Sequence, residues 1–154
     1  MMRMTGPVAM TALAALAGCQ TVPETPAASF DATLDRHVAA IAARDLAAIE
    51  ATITRTPDMV LIFPDGTRYT TRAQFLDFHR AWFADPCWTM TLELVTRWHG
   101  ADYGYGLYRT AFDPDGAGPA APRAAYLSLG FQLEDGEWRL VHDQNTRIAE
   151  SAGQ

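Results

Sequence analysis

Histidine and aspartate stand side by side near the C-terminus, in the stretch EWRLVHDQNT at residues 137–146. An imidazole titrates near neutral pH and a carboxylate can orient it, so His142 and Asp143 could serve in general acid–base catalysis. The stretch otherwise has the composition of a β-strand, and neighbouring side chains of a regular strand point to opposite faces. We therefore expect the two side chains to be separated, unless a β-bulge intervenes.

The alternation assigns the side chains of this strand to two faces. One face carries Trp138, Leu140, His142 and Gln144, and the other carries Arg139, Val141, Asp143 and Asn145. If Trp138 packs into the core, His142 and Gln144 point toward an internal cavity, and Asp143 faces the outside or a neighbouring subunit. His142 is then a candidate acid or base, or a hydrogen-bond donor to a ligand. Its alternative role is structural, closing a hydrogen-bond network at the end of the sheet.

Asp65 is the second candidate for proton transfer. It lies in the sequence Pro64-Asp65-Gly66, where an Asp side chain commonly accepts hydrogen bonds from the backbone of a turn. Asp65 therefore has two possible roles: a structural one, stabilising the turn, and a functional one, acting as a catalytic base.

Other chemistries lack their sequence signatures. None of the four histidines has the i,i+4 or His-x-His spacing of a metal site, so no metal is predicted. His37 and His79 lie on predicted helices and are expected to be partly exposed structural residues. No phosphate loop, dinucleotide fingerprint or Gly-x-Ser-x-Gly motif is found, so no cofactor is predicted. The net charge of −6 argues against nucleic acid as a partner.

The first nineteen residues resemble an export signal. Arg3 precedes an apolar run that is too short to span a bilayer, and Cys19 follows it. The residues Leu16-Ala17-Gly18-Cys19 resemble the lipobox of bacterial lipoproteins. The resemblance implies cleavage before Cys19, acylation of Cys19, and a periplasm-facing protein anchored by lipid, with Gln20 favouring the outer membrane. The alternative is an ordinary secretory signal with an incidental cysteine.

The rest of the chain divides into a tether, one domain and a tail. Residues 19–28 contain two prolines and no periodicity, which is typical of a flexible tether. Residues 29–149 have the length of one ordinary domain, and residues 150–154 are expected to be disordered. The 154-residue chain is 49% hydrophobic and 19% charged, a globular composition, and its seven Phe, five Tyr and four Trp can fill a core and line a cavity.

Two periodicities follow one another along the domain. Helical spacing of apolar residues predicts helices in SFDATLDRHVAAIAARDLAAIEATI and, after a cap at Thr71, in RAQFLDFHRAWFAD. Short strands are predicted at MVLIF and TRYT, and from Cys87 onward a period of two predicts four strands, the last two joined by Asp135-Gly136. The order predicts an α+β domain with N-terminal helices packed on a curved, mostly antiparallel sheet that closes in a β-hairpin.

This pattern resembles the nuclear transport factor 2-like superfamily, and within it the SnoaL-like domains. The resemblance covers residues from about 30 to 148. It is carried by the long amphipathic first helix, by VLIFPDGTRYTTRAQF, and by the closing hairpin DGEWRLVHDQNT. It implies a cone-shaped fold with a cavity between the helices and the concave sheet. The superfamily includes isomerases, cyclases, dehydratases, binding proteins and assembly domains, so the fold alone does not select a function.

The resemblance implies a ligand cavity, and six residues are predicted to line it: Phe63, Trp82, Tyr105, Tyr126, His142 and Gln144. The parity of the strands that carry Tyr105 and Tyr126 stays open, so either face is possible for these two. Steroid isomerases carry a catalytic Asp just before the Pro-x-Gly turn. This chain has Phe63 there, which cannot accept a proton and disfavours isomerase chemistry.

Three functions remain open at this point. The first is a lipid-anchored envelope protein whose cone binds a small apolar or aromatic ligand. The second is a SnoaL-like isomerase, cyclase or hydratase that uses His142 as its acid or base. The third is a dimeric envelope scaffold without a ligand. Both faces of the strand AAYLSLGFQLE carry apolar side chains, and sheet-to-sheet homodimers are common in the superfamily, so a homodimer is predicted.

Overall fold

The computed structural model describes residues 28–116 and 123–149. Its helices are α1 (Phe30–Ala43), α2 (Leu46–Thr52) and α3 (Arg72–Ala84). Its strands are β1 (Asp58–Ile62), β2 (Arg68–Thr71), β3 (Thr89–His99), β4 (Tyr103–Asp113), β5 (Arg123–Glu134) and β6 (Glu137–Arg147). The predicted export signal, the predicted lipidation site at Cys19 and the predicted tail at 150–154 lie outside the described residues, as does all but the last residue of the predicted tether. Within the described ranges, no helix is long and apolar enough to cross a membrane.

Side-chain caps fix where each helix begins. Oxygens of Ser29, Asp45 and Thr71 accept the backbone N–H three residues further on, at distances of 3.0 to 3.2 Å. The first helix ends at Arg44, which adopts the left-handed conformation with a φ of 54°. Because the chain turns there, Asp45 starts a separate short helix. The predicted cap at Thr71 is confirmed.

The sheet has six strands in the order β2-β1-β6-β5-β4-β3. Neighbouring strands are antiparallel except β1 and β6, which run parallel. This pairing places the short β1–β2 hairpin beside the C-terminal strand, so early and late parts of the sequence form one surface. The predicted α+β fold, with helices packed on a mostly antiparallel sheet and a closing hairpin, is confirmed.

The last strand contains one extra residue. Phe131 pairs with Leu140, and its neighbour Gly130 pairs with His142, so Val141 has no partner of its own on β5. An extra residue of this kind is a β-bulge, and it reverses the in–out alternation beyond it. Side chains after Val141 therefore point to the face opposite to the one that a regular strand would give them.

The first helix packs closely on β4 at two glycines. A Cβ atom at Gly104 would lie 2.6 Å from the ring of Phe30, and one at Gly106 would lie 2.8 Å from the side chain of Leu34. Both separations are shorter than real Cβ contacts, so only glycine at these positions lets the helix pack this close to β4. Farther along the same strand, Thr110 and Phe112 line an open cavity.

Candidate functional site

A cavity of about 510 Å³ lies between the third helix and the concave face of the sheet. Its walls include five aromatic side chains, Phe63, Tyr69, Phe78, Trp82 and Phe112. Phe63 and Phe78 meet edge to face with ring centroids 4.8 Å apart, and Phe78 stacks on Trp82 at 5.6 Å. Phe78 and Trp82 are one helical turn apart on α3, so they face the cavity together. These ring contacts hold the walls in a preformed shape.

Asp143 points into this cavity. Leu140 pairs with Phe131, and Asp143 pairs with Leu129. Because Val141 is an extra residue between them, Leu140 and Asp143 both lie on the concave face. Asp143 lies on the cavity wall and is only 4% exposed. The sequence-based prediction assumed a regular strand and placed this carboxyl on the outer face. That prediction is wrong because the bulge reverses the alternation.

The same bulge removes two predicted groups from the cavity. His142 and Gln144 lie on the convex face, where His142 Nε2 and Gln144 Oε1 are 3.4 Å apart, and neither lines the cavity. Tyr105 lies on that face too, because Gly130 pairs both with it and with His142. Tyr126 also faces outward and is 41% exposed. The prediction that these four side chains line the cavity is wrong, whereas Phe63 and Trp82 do lie on its wall.

Burial makes the Asp143 carboxyl unusual. Loss of contact with water raises its pKa to about 7, and the hydrogen bond from Asn145 Nδ2 to its Oδ1, at 3.1 Å, lowers the pKa in part. None of the ion pairs in the described part of the chain involves Asp143. At neutral pH this carboxyl is therefore poised between its charged and uncharged forms, which suits both hydrogen bonding and proton transfer.

His79 adds a neutral imidazole to the wall. It is 2% exposed, and its Nδ1 donates to the carbonyl of Phe75 at 2.9 Å. Burial lowers the pKa of His79 to about 4, and the bond to Phe75 opposes this shift. A neutral ring that donates through Nδ1 keeps Nε2 as an acceptor. The expectation of a partly exposed histidine is wrong, because α3 turns this position toward the core.

His37 is buried against the ring of Phe131 and does not line the cavity. Its Nδ1 lies 2.7 Å from Thr52 Oγ1, and burial followed by the charge of His79 lowers its pKa to about 3. It is fully buried, which corrects the prediction of partial exposure here too. Among the described residues, no three His, Cys, Asp or Glu side chains come together in a way that could hold a metal ion.

Asp65 lies at the mouth of the cavity and serves the turn. Its Oδ1 accepts the backbone N–H of Thr67 at 2.9 Å, and this hydrogen bond is the main cause that holds the pKa of Asp65 below its usual range. The side chain is exposed, so it lacks the desolvated surroundings that bring Asp143 near neutrality.

Comparison with known proteins identifies the fold and the family. The sequence matches the SnoaL-like domain family over residues 31–146. The chain belongs to the SnoaL-like family. A search of curated proteins finds no match. Because one fold can host many activities, the chemistry of this SnoaL-like domain has to be argued from its own cavity.

Several solved structures share the fold of this SnoaL-like domain. One is a provisionally assigned calcium/calmodulin-dependent protein kinase type II association domain from Thiobacillus denitrificans, 21% identical, covering 82% of this chain and 100% of that one, with a TM-score of 0.68. A provisional dehydratase of the NTF2-like family from Streptomyces avermitilis is 12% identical, with coverages of 77% and 92% and a TM-score of 0.64. A provisional ketosteroid isomerase from Shewanella frigidimarina is 13% identical, with coverages of 74% and 91% and a TM-score of 0.61. Identities this low establish the shared fold alone.

The main polar groups of the SnoaL-like cavity were not identified from the sequence. They are His79, Thr110, Arg123, Asp143, Asn145 and Arg147. A regular alternation of β6 places Asp143 and Asn145 on the outer face. The bulge at Val141 reverses this placement and still leaves His142 and Asp143 on opposite faces. Together the residues of the cavity give an aromatic slot with one buried carboxyl and a polar mouth, an arrangement that can orient a small molecule and exchange a proton with it.

Proposed function

We propose that this SnoaL-like domain binds a small, largely aromatic molecule in its cavity and holds one polar group of that molecule against Asp143. The buried carboxyl of Asp143, which accepts a hydrogen bond from Asn145 in a cavity that also has aromatic walls, is the observation that carries the proposal. A buried polar group without enough partners is costly. A ligand with a hydroxyl or carbonyl group satisfies it, while the ligand rings replace water along the walls.

The size of the cavity supports ligand binding over a purely structural role. A volume of about 510 Å³ falls within the range of roughly 300–1,000 Å³ that is typical of small-molecule pockets. A scaffold domain has no need to keep such a space open, since filling it with side chains stabilises a core. The dimeric scaffold without a ligand is therefore the weaker alternative.

Binding is tested with 2-naphthol and naphthalene, which share their rings and differ by one hydroxyl. Titration calorimetry of the domain is expected to show that 2-naphthol binds roughly tenfold more tightly than naphthalene. Asp143→Ala is expected to make the two affinities equal. His142→Ala is the matched control, because His142 lies on the convex face, and it is expected to change neither affinity. The proposal fails if neither compound binds the folded domain, or if His142→Ala has the same effect as Asp143→Ala.

The second candidate function is acid–base catalysis with Asp143 in the role that the sequence assigned to His142. A pKa of about 7 lets Asp143 remove a proton at neutral pH and return it in the same catalytic cycle. His79, whose Nε2 accepts hydrogen bonds, and Asn145 are further polar groups of the cavity. The reaction class is proton transfer beside a carbonyl group, as in isomerisation or dehydration.

Catalysis is tested by hydrogen exchange in a simple ketone. With 2-tetralone in D2O, the domain is expected to accelerate exchange of the protons next to the carbonyl, with a rate that rises with pH and levels off above about pH 7. Asp143→Asn is expected to abolish the acceleration. Equal exchange rates for the wild-type and variant proteins would refute the catalytic role. A wild-type protein that binds the ketone without exchange would leave ligand binding as the function.

Membrane anchorage is a separate proposal and rests on the sequence Leu16-Ala17-Gly18-Cys19. We propose that Cys19 is acylated and that the lipid holds the domain on the periplasmic side of the outer membrane. Mass spectrometry of the protein purified from host membranes is expected to find an acylated cysteine as the first residue, and Cys19→Ala is expected to release the domain from the membrane fraction. An unmodified N-terminus at another residue would contradict this proposal.

We also propose that two copies of the domain associate through the convex face of the sheet. Large apolar side chains are exposed there, including Trp98 at 55%, Tyr103 at 44% and Tyr126 at 41%. Exposed aromatic clusters of this kind are typical of protein interfaces. Light scattering of the domain from Ser29 onward is expected to give the mass of a dimer, and a monomer at every concentration would refute the proposal.

A further inference from the structure

Two arginines stand next to each other at the mouth of the cavity. Arg123 is the first residue of β5 and Arg147 is the last residue of β6. Ala125 pairs with Arg147, and Arg123 precedes Ala125 by two positions, so both arginines lie on one face as diagonal neighbours. Both line the cavity. Diagonal neighbours on adjacent strands are about 7–8 Å apart, a distance that two long side chains can close around one small group.

Neither guanidinium forms an ion pair with an acidic side chain in the ranges that the structure describes. Asp65 shares the mouth with Arg123 and Arg147: its Oδ1 accepts the backbone N–H of Thr67, and the charge of Arg147 is a minor cause of its lowered pKa, although the two side chains form no ion pair. Two like charges side by side on a sheet repel each other, and an anion placed between them removes that repulsion. The planar guanidinium matches a carboxylate with two parallel hydrogen bonds, so a pair of arginines favours an anionic group of this shape.

The strand sets the distance between this pair and the inner carboxyl. Arg147 follows Asp143 by four residues, with Asn145 on the same face between them. A rise of about 3.3 Å per residue places the two positions about 13 Å apart along β6. A molecule that reaches both ends therefore needs an apolar body of about two fused or linked rings.

We propose that the ligand is an aromatic carboxylic acid whose carboxylate lies between Arg123 and Arg147 and whose far end carries a neutral hydroxyl or carbonyl group against Asp143. The inference rests on the proposed ligand-binding function and adds the charge and the orientation of the ligand. The acid group stays at the mouth, in contact with water, where the arginines can reach it. The rings lie along Phe63, Phe78 and the other aromatic walls. The far group is neutral because a second anion would be unfavourable beside a buried carboxyl.

Three probes of one shape test the charge of the ligand: 6-hydroxy-2-naphthoate, its neutral carboxamide, and 6-(aminomethyl)-2-naphthol, which is a cation at neutral pH. Titration calorimetry is expected to show that the carboxylate binds roughly tenfold more tightly than the carboxamide, with an advantage that shrinks as salt is added. Arg123→Gln and Arg147→Gln are each expected to remove most of that advantage and to leave carboxamide binding unchanged. Arg36→Gln, an exposed position on α1 outside the cavity lining, removes the same charge and is expected to change nothing.

The outcomes separate this inference from the function on which it rests. If the carboxamide or the amine binds as tightly as the carboxylate, the anion site is overturned and ligand binding stands. If the carboxylate is preferred but neither glutamine variant weakens it, the assignment to Arg123 and Arg147 is overturned. If none of the three probes binds the folded protein, the ligand-binding function fails and the inference fails with it. Circular dichroism of each variant confirms that the comparison is between folded proteins.

Discussion

Replacing Asp143 with Asn removes a titrating carboxyl from the cavity and keeps the shape of the side chain. Burial raises the pKa of Asp143 from 3.8, its ordinary value, to about 7. Between these two values the folded protein holds a proton that the unfolded chain has lost, so the free energy of unfolding falls as the pH rises through this window. The Asn variant has no such group. Its stability relative to the wild type is therefore expected to increase with pH and to level off above about pH 7.

The size of this effect follows from the two pKa values. One pKa unit corresponds to about 1.36 kcal/mol, so a shift of roughly three units destabilises the wild-type protein by about 4 kcal/mol above neutral pH. Part of this penalty is already present at pH 5. From pH 5 to pH 8 the advantage of Asp143→Asn is expected to grow by about 3 kcal/mol.

Urea denaturation of both proteins at pH 5, 6, 7 and 8, followed by tryptophan fluorescence, measures this difference. Taking the difference between two proteins at each pH cancels the contributions of His37 and His79, which both proteins contain. Asp65→Asn is the control, because its exposed carboxylate is ionised in both states throughout this range and the difference should stay constant. A constant difference for Asp143→Asn as well would show that its carboxyl is hydrated, and would refute the assignment of a desolvated acid to the cavity.

Trp82→Ala is expected to lower the affinity for 2-naphthol by roughly tenfold or more, because it removes a wall, whereas Trp98→Ala on the convex face leaves it unchanged. Equal losses in calorimetry would contradict this placement. Gly104→Ala puts a methyl group 2.6 Å from the ring of Phe30 and is expected to destabilise the protein by about 1–3 kcal/mol. An unchanged midpoint of urea denaturation would show that α1 can move away from β4 without loss of stability. Burial lowers the pKa of His79 to about 4, so the stability of the wild-type protein falls as the pH drops from about 6.5 towards 4. The unfolding temperature of His79→Gln is expected to fall less over this range. The same fall in unfolding temperature for both proteins would refute this prediction.

The fold could be predicted because its signals are local. Helical spacing, the cap at Thr71 and the Asp135-Gly136 turn each depend on a few neighbouring residues. The structure retains all of them. No local signal marks the boundary between α1 and α2, because the left-handed turn there lies at Arg44 and not at a glycine.

The cavity could be predicted only in part, because its polar side depends on pairing between strands. Phe63 and Trp82 were found from their positions at the ends of elements. Asp143 was assigned to the wrong face, because the extra residue Val141 is determined by the register with β5 and not by the sequence of β6 alone. The arginine pair at the mouth arises from the same register and could not be seen from the order of residues.

The two glycines of β4 have an effect at the opposite end of the first helix. Phe30 and Leu34 rest where two methyl groups are missing, and Ile41, two to three turns further along the same rigid rod, forms part of the cavity wall. Larger residues at Gly104 and Gly106 would push the first end of this helix away from the sheet and tilt the whole helix. The two glycines therefore help to set the width of the cavity near Ile41. Selection for ligands of a different thickness can therefore act on residues that no ligand ever touches.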